Sequence, residues 1–431
     1  MRMRAKRHRS FPVVCLVLCL LAAASIGAGQ EEVRLTIWSI NPGTSFGALT
    51  DQMAARFSEN TDGVHLRSVH FDNNFYKSQL RTAMDIRQAP DIFHNWGASS
   101  IQSLVEQGRI LAVDQIVEQV RDVLLPIALD PVTFSDQVYG LPYSGLAGVF
   151  FWYRKDVFAR YNLQPPKTWQ EFLQVGEALK ENGIIPIALA NKNKWPGSFF
   201  YMYLVDRIGG PELFRDASLG KDGRSFLHPA FIQAGTMVEE LVKREFFPEG
   251  FNRMRDESGN WNSLMITGQA GMYLMGTWFL SVINELPEEI RDSFDFFEFP
   301  TVSGGLGNPR SLVGSPGQDY LSISADTQDP EKAMSFLREY ICSAEYFQAL
   351  ADQGFVPPVY DAENYLVNPL TRKIARIFTD AEHVQLYWDQ ILPPTQAEAH
   401  KLLVHQLFEL QISPEQVARG HEDLLGAQGR Q

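Results

Sequence analysis

Apolar and polar residues alternate in the stretch VRLTIW (residues 33–38), which is the pattern of a half-buried β-strand. Apolar side chains then recur at helical spacing, at Phe46, Leu49, Met53 and Phe57. A second strand is predicted over 64–71, a second helix over about 75–87 and a third strand over 91–93. Strands separated by single helices form right-handed crossovers, so the start of the chain predicts an α/β fold with a mostly parallel sheet.

The composition limits the class of protein. The chain has 431 residues, of which 45% are apolar and 21% charged, and its formal net charge is −13. The apolar share excludes intrinsic disorder, and the length suggests two or three domains. A nucleic-acid-binding protein would carry a clustered basic face, whereas basic residues cluster only at the extreme N-terminus here. We therefore predict an acidic globular protein that does not bind nucleic acid.

The N-terminus has the three parts of a secretory signal peptide. Five basic residues precede residue 10, an apolar run follows over 11–24, and small residues dominate 25–29. We predict that residues 1–29 are a signal peptide, cleaved after Gly29, and that the protein is exported to the periplasm or the extracellular face. A retained membrane anchor over 11–28 is the alternative, because 18 residues lie at the lower end of a membrane-spanning length.

Cleavage would change both the charge and the cysteine count. It removes five positive charges and no acid, which takes the formal charge from −13 to −18. It also removes Cys15 and Cys19 and leaves Cys342 alone, so no intramolecular disulfide can form in the mature chain. Cys342 lies on an apolar helix face, where we expect a buried thiol.

The later part of the chain is predicted to be mainly helical between about 170 and 290. The quartet TWQE (168–171) predicts a capped helix start, and 280–290 carries the apolar spacing of one further helix. Two glycine-bearing stretches, 143–148 and 314–317, are candidate linkers between strand-like segments. These two crossings suggest a lobe that combines an early segment with a returning late one.

The sequence contains no metal-binding, phosphate-binding or dithiol motif of a familiar enzyme class. It lacks a His-Glu-x-x-His pair, a Walker loop and a Cys-x-x-Cys pair. His400 and His405 are five residues apart and so not on one helical face, which argues against a zinc pair. We therefore predict no catalytic residue, no metal and no cofactor. A glycosidase needs only two suitably spaced carboxylates, and the 51 acidic residues leave that alternative open.

Tryptophans occur at predicted strand ends and in a polar loop, namely Trp38, Trp96, Trp278 and, in the loop, Trp195. In open α/β sheets, ligands bind beyond the carboxyl ends of strands. The hydrogen-bonding residues expected beside these rings are Asn41, Asn95, Ser144, Gln318 and Asp319. Sugars suit this mixture, because their C–H faces pack on aromatic rings while each hydroxyl needs a directed partner. Trp152 and Trp169 lie in periodic apolar stretches and are predicted core residues.

Ordered motifs along the chain resemble those of a known family. The central motifs are GLPY (140–143), FWYRKDVF (151–158) and PKTWQEF (166–172). Further motifs keep the same order, namely APDIF (89–93), GQAGM (268–272), GTW (276–278) and DPEKA (329–333). Together they resemble the bacterial extracellular solute-binding proteins of sugar ABC importers, the maltose-binding protein among them. The resemblance covers the chain from Val33 onward.

The resemblance implies a two-lobed periplasmic-binding-protein fold (α/β, type II-like) with discontinuous lobes and a central ligand cleft. The implied segments are 33–143 with 315–362 for the first lobe, 147–312 with 366–431 for the second, and hinge crossings near 143–148 and 312–318. The residues that match family cleft positions are Trp38, Trp96, Tyr143, Trp195, Trp278, Gln318 and Asp319. Gln318 departs from the pattern, since many members of the family carry glycine or another small residue there.

The function expected from this resemblance is capture of a mono- or oligosaccharide by hinge closure and delivery to the permease subunits of an ABC importer. The expected ligand-binding residues are Trp38, Asn41, Asn95, Trp96, Tyr143, Trp195, Trp278, Gln318 and Asp319. A monomer is expected. The alternatives are a secreted carbohydrate-active enzyme, a sensor subunit, and a binding protein for a non-sugar solute such as a polyol or a glycerol phosphodiester.

Overall fold

Two large mixed β-sheets form the framework of the computed structural model, which describes residues 32–255 and 260–426. The predicted signal peptide lies outside the described residues. The strands are β1 (Val33–Ser39), β2 (Val64–His70), β3 (Ile92–Asn95), β4 (Thr133–Phe134), β5 (Gln137–Val138), β6 (Leu141–Pro142), β7 (Ala147–Arg154), β8 (Ile185–Ala188), β9 (Ala270–Gly276), β10 (Phe294–Phe297), β11 (Ser311–Ser315), β12 (Tyr320–Ile323) and β13 (His383–Gln385).

Helices cover both sheets. They are α1 (Ser45–Asn60), α2 (Asn73–Asp85), α3 (Ser99–Glu106), α4 (Asp114–Val120), α5 (Lys155–Arg160), α6 (Trp169–Glu181), α7 (Trp195–Gly209), α8 (Leu213–Ser218), α9 (Pro229–Lys243), α10 (Asn260–Ile266), α11 (Phe279–Asn284), α12 (Glu288–Arg291), α13 (Pro330–Phe336), α14 (Ala344–Asp352), α15 (Pro369–Asp380), α16 (Trp388–Ile391), α17 (Pro394–Phe408) and α18 (Pro414–Gly426).

The first sheet has the strand order β2-β1-β3-β12-β6. β1 pairs in parallel with β2 along its whole length and with β3 at its carboxyl end. The alternating pattern explains the packing of β1, because Leu35 and Ile37 are buried while Arg34 is exposed. β12 runs antiparallel to both β3 and β6. A late segment therefore completes the sheet that the first strands begin, and the predicted α/β class is confirmed.

The second sheet has the order β13-β11-β7-β9-β8, with β10 also paired to β7. All eight residues of its central strand β7 are buried, as expected for a continuous apolar run covered on both faces. β11 lies beside β7, where Gly314 pairs with Gly148 in antiparallel register. Directly after β11 the chain returns to the first sheet as β12.

Within the described residues the chain crosses between the sheets at 143–146, at 316–319 and along 353–368. The crossings are bonded to one another by their backbones. Tyr143 N–H donates to the carbonyl of Asp319 at 3.0 Å, and Leu146 N–H donates to that of Val356 at 2.8 Å. We propose that the crossings divide the chain into the two lobes stated above, 33–143 with 315–362 and 147–312 with 366–431.

Several local predictions can be compared with the structure. The capping box at the start of α6 is confirmed, because the Thr168 and Glu171 side chains each accept a backbone N–H of the other residue. The single helix predicted over 280–290 is wrong. The segment forms α11 and α12, divided at Pro287, whose nitrogen has no hydrogen to donate to a continuing helix. Trp152 and Trp169 are buried, which confirms them as core residues.

Cys342 is a buried, unpaired cysteine within the described part of the chain, as predicted. Burial raises the pKa of its thiol to about 12. The thiol therefore stays protonated at neutral pH, and a protonated, buried thiol is a poor nucleophile.

Candidate functional site

A cavity of about 610 Å³ lies between the two sheets. Its wall combines the loops after β1, β3 and β9 with the crossing at 316–319 and with parts of α2, α3, α7, α16 and α17. Both lobes therefore contribute side chains to it. A volume of this size is typical of sites that enclose most of a small molecule.

Seven of the nine predicted ligand-binding residues line this cavity, namely Asn41, Asn95, Trp96, Trp195, Trp278, Gln318 and Asp319. Trp38 and Tyr143 are not among the lining residues. The Trp38 ring packs on Phe71, with 4.8 Å between the centroids. Tyr143 is fully buried, and its hydroxyl lies 2.9 Å from Nδ1 of His94. As ligand contacts, the seven lining residues stay predictions.

An aromatic box, formed by Trp195, Phe199, Trp278 and Tyr387, lines the cavity on the side of the second lobe. The centroids of Trp195 and Trp278 are 6.1 Å apart, and those of Phe199 and Tyr387 are 5.4 Å apart. Trp195 does not lie in a polar loop as predicted. It is the first residue of α7, with Pro196 favouring a helix start directly after it.

The local sequence explains how the box forms. A Cβ atom at Gly276 would lie 2.0 Å from the Trp278 ring, so only glycine leaves room for the ring to fold back against the end of β9. Phe199 follows Trp195 by four residues and so shares its helix face. Sequence reasoning missed Phe199, although this spacing is visible. It also missed Tyr387, which follows the three-residue strand β13.

The facing wall contains Trp96 and Asn95. Trp96 packs edge-on against His94 at 4.4 Å between centroids, and Lys77 Nζ lies 4.5 Å from the centre of a Trp96 ring. The Asn95 side chain donates to Ser322 Oγ at 2.8 Å and accepts from Gly97 N–H at 2.9 Å. Asn95 is thus engaged on both sides of its amide, and it positions the loop that carries Trp96.

Asp319 is a buried carboxyl on the crossing at 316–319. Burial raises its pKa to about 7, even though Gln318 Nε2 donates to its Oδ2 at 3.2 Å. His94 Nε2 lies 3.9 Å from its other oxygen. Burial also holds the pKa of His94 well below its ordinary value, so His94 is neutral at pH 7 and gives Asp319 no charged partner.

A rim cluster of charged residues, Lys77, Asp389, Glu398 and Lys401, lies where the lobes meet at the cavity edge. Asp389 Oδ2 is 3.7 Å from Lys77 Nζ across the interface and 3.6 Å from Lys401 Nζ within the second lobe. Lys401 also contacts Glu398 at 2.7 Å. Burial acts to raise the pKa of Asp389, but the charges of Lys401 and Lys77 outweigh it and hold that pKa below its ordinary value.

Some polar atoms of the wall are buried and have no hydrogen-bond partner within the described residues. They include Trp195 Nε1, Gln318 Oε1, Tyr387 OH and Gln390 Oε1. A buried polar atom without a partner costs about 1–3 kcal/mol. The wall therefore offers both donors and acceptors to a ligand that carries several hydroxyl groups.

His400 contacts a histidine other than His405, the residue whose spacing argued against a zinc pair. His400 Nδ1 lies 2.8 Å from His421 Nε2, in the interior between α17 and α18. In the ranges 32–255 and 260–426 no group of three or more His, Cys, Asp or Glu side chains could hold a metal ion. No helix in those ranges is long and apolar enough to cross a membrane.

A two-lobed α/β molecule with a cavity enclosed between its lobes belongs to the hinge-closing class of binding proteins. Residues 52–375 match a family model described as bacterial extracellular solute-binding protein. The chain belongs to this family.

Similar proteins carry related descriptions. An uncharacterised ABC transporter extracellular-binding protein of Pyrococcus horikoshii is 27% identical over 70% of either chain. The multiple sugar-binding protein of Streptococcus mutans is 25% identical over 59% of this chain and 60% of its own length. A structure from a study of xylan utilization by Caldanaerobius polysaccharolyticus is 27% identical, with a TM-score of 0.82, and the match covers 91% of this chain and all of that one. A chitin oligosaccharide binding protein gives 0.83 at 21% identity over 92% and 99% of the two chains.

Proposed function

We propose that this protein is the substrate-binding component of an ABC-type sugar importer. The observation that carries the proposal is the aromatic box, which shares one cavity with buried hydrogen-bonding atoms that have no partner among the described residues. A sugar satisfies both features, since its C–H faces pack on the rings and its hydroxyls bond to the polar atoms. The descriptions of the similar proteins, which include multiple sugar-binding and chitin oligosaccharide binding proteins, support this class of ligand.

The charges around the cavity favour a neutral ligand. Three cationic residues line it, Lys77, Arg81 and Lys401, and four acidic residues offset them, namely Asp85, Asp319, Asp389 and Glu398. A phosphodiester would need an excess of positive charge or a bidentate arginine. This balance supports a sugar over the non-sugar alternative of a glycerol phosphodiester.

Capture takes place by closure of the lobes about the crossings. Saccharide binds the rings of one lobe, and the other lobe adds contacts and excludes water. Closure is driven by the difference in affinity between the closed and open forms. The closed form then delivers the ligand to the permease subunits. The protein acts as an exported monomer and makes or breaks no bond in its ligand.

A saccharide panel tests the proposal. We expect at least one of xylobiose, diacetylchitobiose, raffinose, maltotriose and galactose to raise the melting temperature, because a ligand that binds only the folded state stabilises it. Calorimetry with that saccharide should show at least about tenfold weaker binding to Trp278→Ala, since the variant loses an aromatic stacking surface. Leu219→Ala, at an exposed apolar position away from the cavity and the crossings, is the control and should bind normally.

Three results would contradict parts of the proposal. Binding by Trp278→Ala at wild-type strength would remove the aromatic box from the site. Cleavage of an oligosaccharide by the purified protein would favour the carbohydrate-active enzyme. An exported chain that still carries residues 1–29, measured by mass spectrometry, would favour a retained anchor.

A further inference from the structure

The crossing at 316–319 contains a residue in an unusual backbone conformation. Gln318 has φ +51°, in the left-handed region that glycine adopts freely and that other residues rarely occupy. The preceding residue, Gly317, leaves room only for glycine, because a Cβ atom there would lie 2.3 Å from the Tyr320 hydroxyl. Two hydrogen bonds hold the turn. Gln318 N–H donates to Ser315 Oγ at 3.0 Å, and Asp319 N–H donates to the Gly317 carbonyl at 2.6 Å.

The side chain of this residue lies in the cavity wall. Its Nε2 donates to Asp319 Oδ2 at 3.2 Å, which fixes the orientation of the amide. Its Oε1 is buried and has no hydrogen-bond partner among the residues that the structure describes. The amide is thus held in place with an acceptor oxygen left over.

These two observations meet in one residue. A glycine would adopt the backbone without strain, so the conformation alone gives no reason for a glutamine here. An acceptor for a ligand supplies that reason. Gln318 also belongs to a crossing, and its backbone conformation therefore affects the orientation of one lobe relative to the other.

We infer that Gln318 is the hinge residue that senses the ligand: its Oε1 accepts a hydrogen bond from a ligand hydroxyl and thereby holds the crossing in its left-handed turn. This inference rests on the proposed function and narrows it. The ligand must present a hydroxyl donor to Gln318, so a saccharide in which that hydroxyl is replaced by a hydrogen or an ether binds weakly.

Two substitutions separate the backbone from the amide. Gln318→Gly removes the strain and the amide together, whereas Gln318→Ala removes the amide and keeps the strain. We expect Gln318→Gly to melt about 2 °C above the wild type without ligand, and both variants to bind the panel saccharide that the wild type binds about fivefold more weakly. Asp222→Gly is the control. Asp222 has φ +54° on the exposed surface away from the cavity, so its variant should gain thermal stability and bind normally.

Calorimetry and thermal melts give distinct outcomes. Wild-type affinity in Gln318→Gly overturns the inference. Weak binding by Gln318→Gly together with normal binding by Gln318→Ala also overturns it, because the loss would then come from a looser backbone. If Gln318→Gly does not raise the melting temperature, the left-handed backbone of Gln318 is not strained. If no saccharide in the panel binds the wild type, the proposed function fails and this inference fails with it, which differs visibly from wild-type binding that the variants leave unchanged.

Discussion

The two lobes meet on opposite sides of the cavity through different kinds of contact. On the hinge side, at 143–146 and 316–319, the contacts are backbone hydrogen bonds in the interior, such as Tyr143 N–H to the Asp319 carbonyl. At the rim, where α2 and α3 face α16 and α17, the contacts are made by side chains. Ser99 Oγ lies 2.6 Å from the carbonyls of Gln390 and Leu392, and Lys77 pairs with Asp389.

This difference indicates which side can open. Backbone bonds in the interior are costly to leave unmade, so we expect the crossings to stay bonded to one another when the lobes move. Ion pairs that reach solvent contribute at most about 1 kcal/mol each, and water replaces them readily. We therefore propose that the hinge side acts as the pivot and that the rim opens and closes.

Strand β11, which leads into the hinge-side crossing at 316–319, should tolerate substitution poorly. A Cβ atom at Gly314 would lie 2.1 Å from the Ala147 carbonyl oxygen, which is a backbone atom fixed by the sheet. We expect Gly314→Ala to lower the free energy of unfolding by about 4 kcal/mol or more, because the two strands must separate. Urea denaturation measures this loss.

Gly148→Ala is the matched control for this pair of strands. Gly148 pairs with Gly314, but its added Cβ would meet the Phe150 ring, 2.8 Å away, and a side chain can move. We expect a clearly smaller loss. Equal losses in the two variants would mean that the fixed backbone atom opposes an added Cβ no more than the movable side chain does.

The stability of the hinge side should depend on pH, because it contains the carboxyl of Asp319, which has no charged partner. Its pKa is raised by burial to about 7, against about 4 in the unfolded chain. Between these two values the folded chain keeps a proton that the unfolded chain releases, so stability falls as pH rises from about 4 to 7 and stays lower above. A difference of about three pKa units corresponds to a loss of about 4 kcal/mol.

Asp319→Asn stays neutral and should lack this loss. Thermal or urea denaturation should show the variant to be more stable than the wild type near pH 8 and closer to it near pH 4. The same substitution at the exposed Asp222 is the control and should leave the wild-type profile unchanged. Parallel profiles for wild type and Asp319→Asn would mean that the carboxyl is better solvated than its burial indicates.

The hinge side and much of the cavity wall could be predicted from the sequence, because the sequence patterns that mark them are local. Alternation gave β1, and glycines marked the crossings. Seven lining residues were predicted from their place after strands or in the family motifs. Trp38 was misjudged as a contact because it is the second-last residue of β1 and faces Phe71, whereas the cavity begins beyond the strand at Ile40 and Asn41.

The rim could not be predicted in this way. Lys77 and Asp389 are separated by more than 300 residues, and the packing of one lobe against the other brings them together. Tyr387 was missed for a related reason, since a strand of three residues is too short to show a period. Spacing reveals faces of single elements, and contacts between lobes depend on how those elements are assembled.

At the rim, Asp389 should contribute less than the hinge positions. Its pKa is held low by Lys401 and Lys77 against the effect of burial, so it contributes stability above its unfolded pKa and loses it as pH falls through the lower folded value. We expect Asp389→Asn to lower the free energy of unfolding by about 1–2 kcal/mol near pH 7, partly because it leaves the buried Lys401 with one partner fewer. A loss that did not shrink on acidification would contradict this origin.

Substitution of Lys77 should have the smallest effect on the free energy of unfolding. It also distinguishes a contribution to lobe closure from a contribution to stability. Its side chain is 38% exposed, it pairs with Asp389 at 3.7 Å, and it lies over Trp96, so Lys77→Met should cost about 0.5 kcal/mol. Because the ion pair joins the two lobes, we expect it to form on closure, and that cost should then appear as an approximately twofold weaker affinity for the bound saccharide, measured by calorimetry, and less in the unfolding of the free protein. The affinity of the wild type should also fall with added salt, whereas that of the variant should change less.

Lys180→Met is the matched control, since Lys180 is 39% exposed and pairs with Glu245 inside one lobe. If Lys180→Met weakened saccharide binding as much as Lys77→Met, the rim would have no special part in closure.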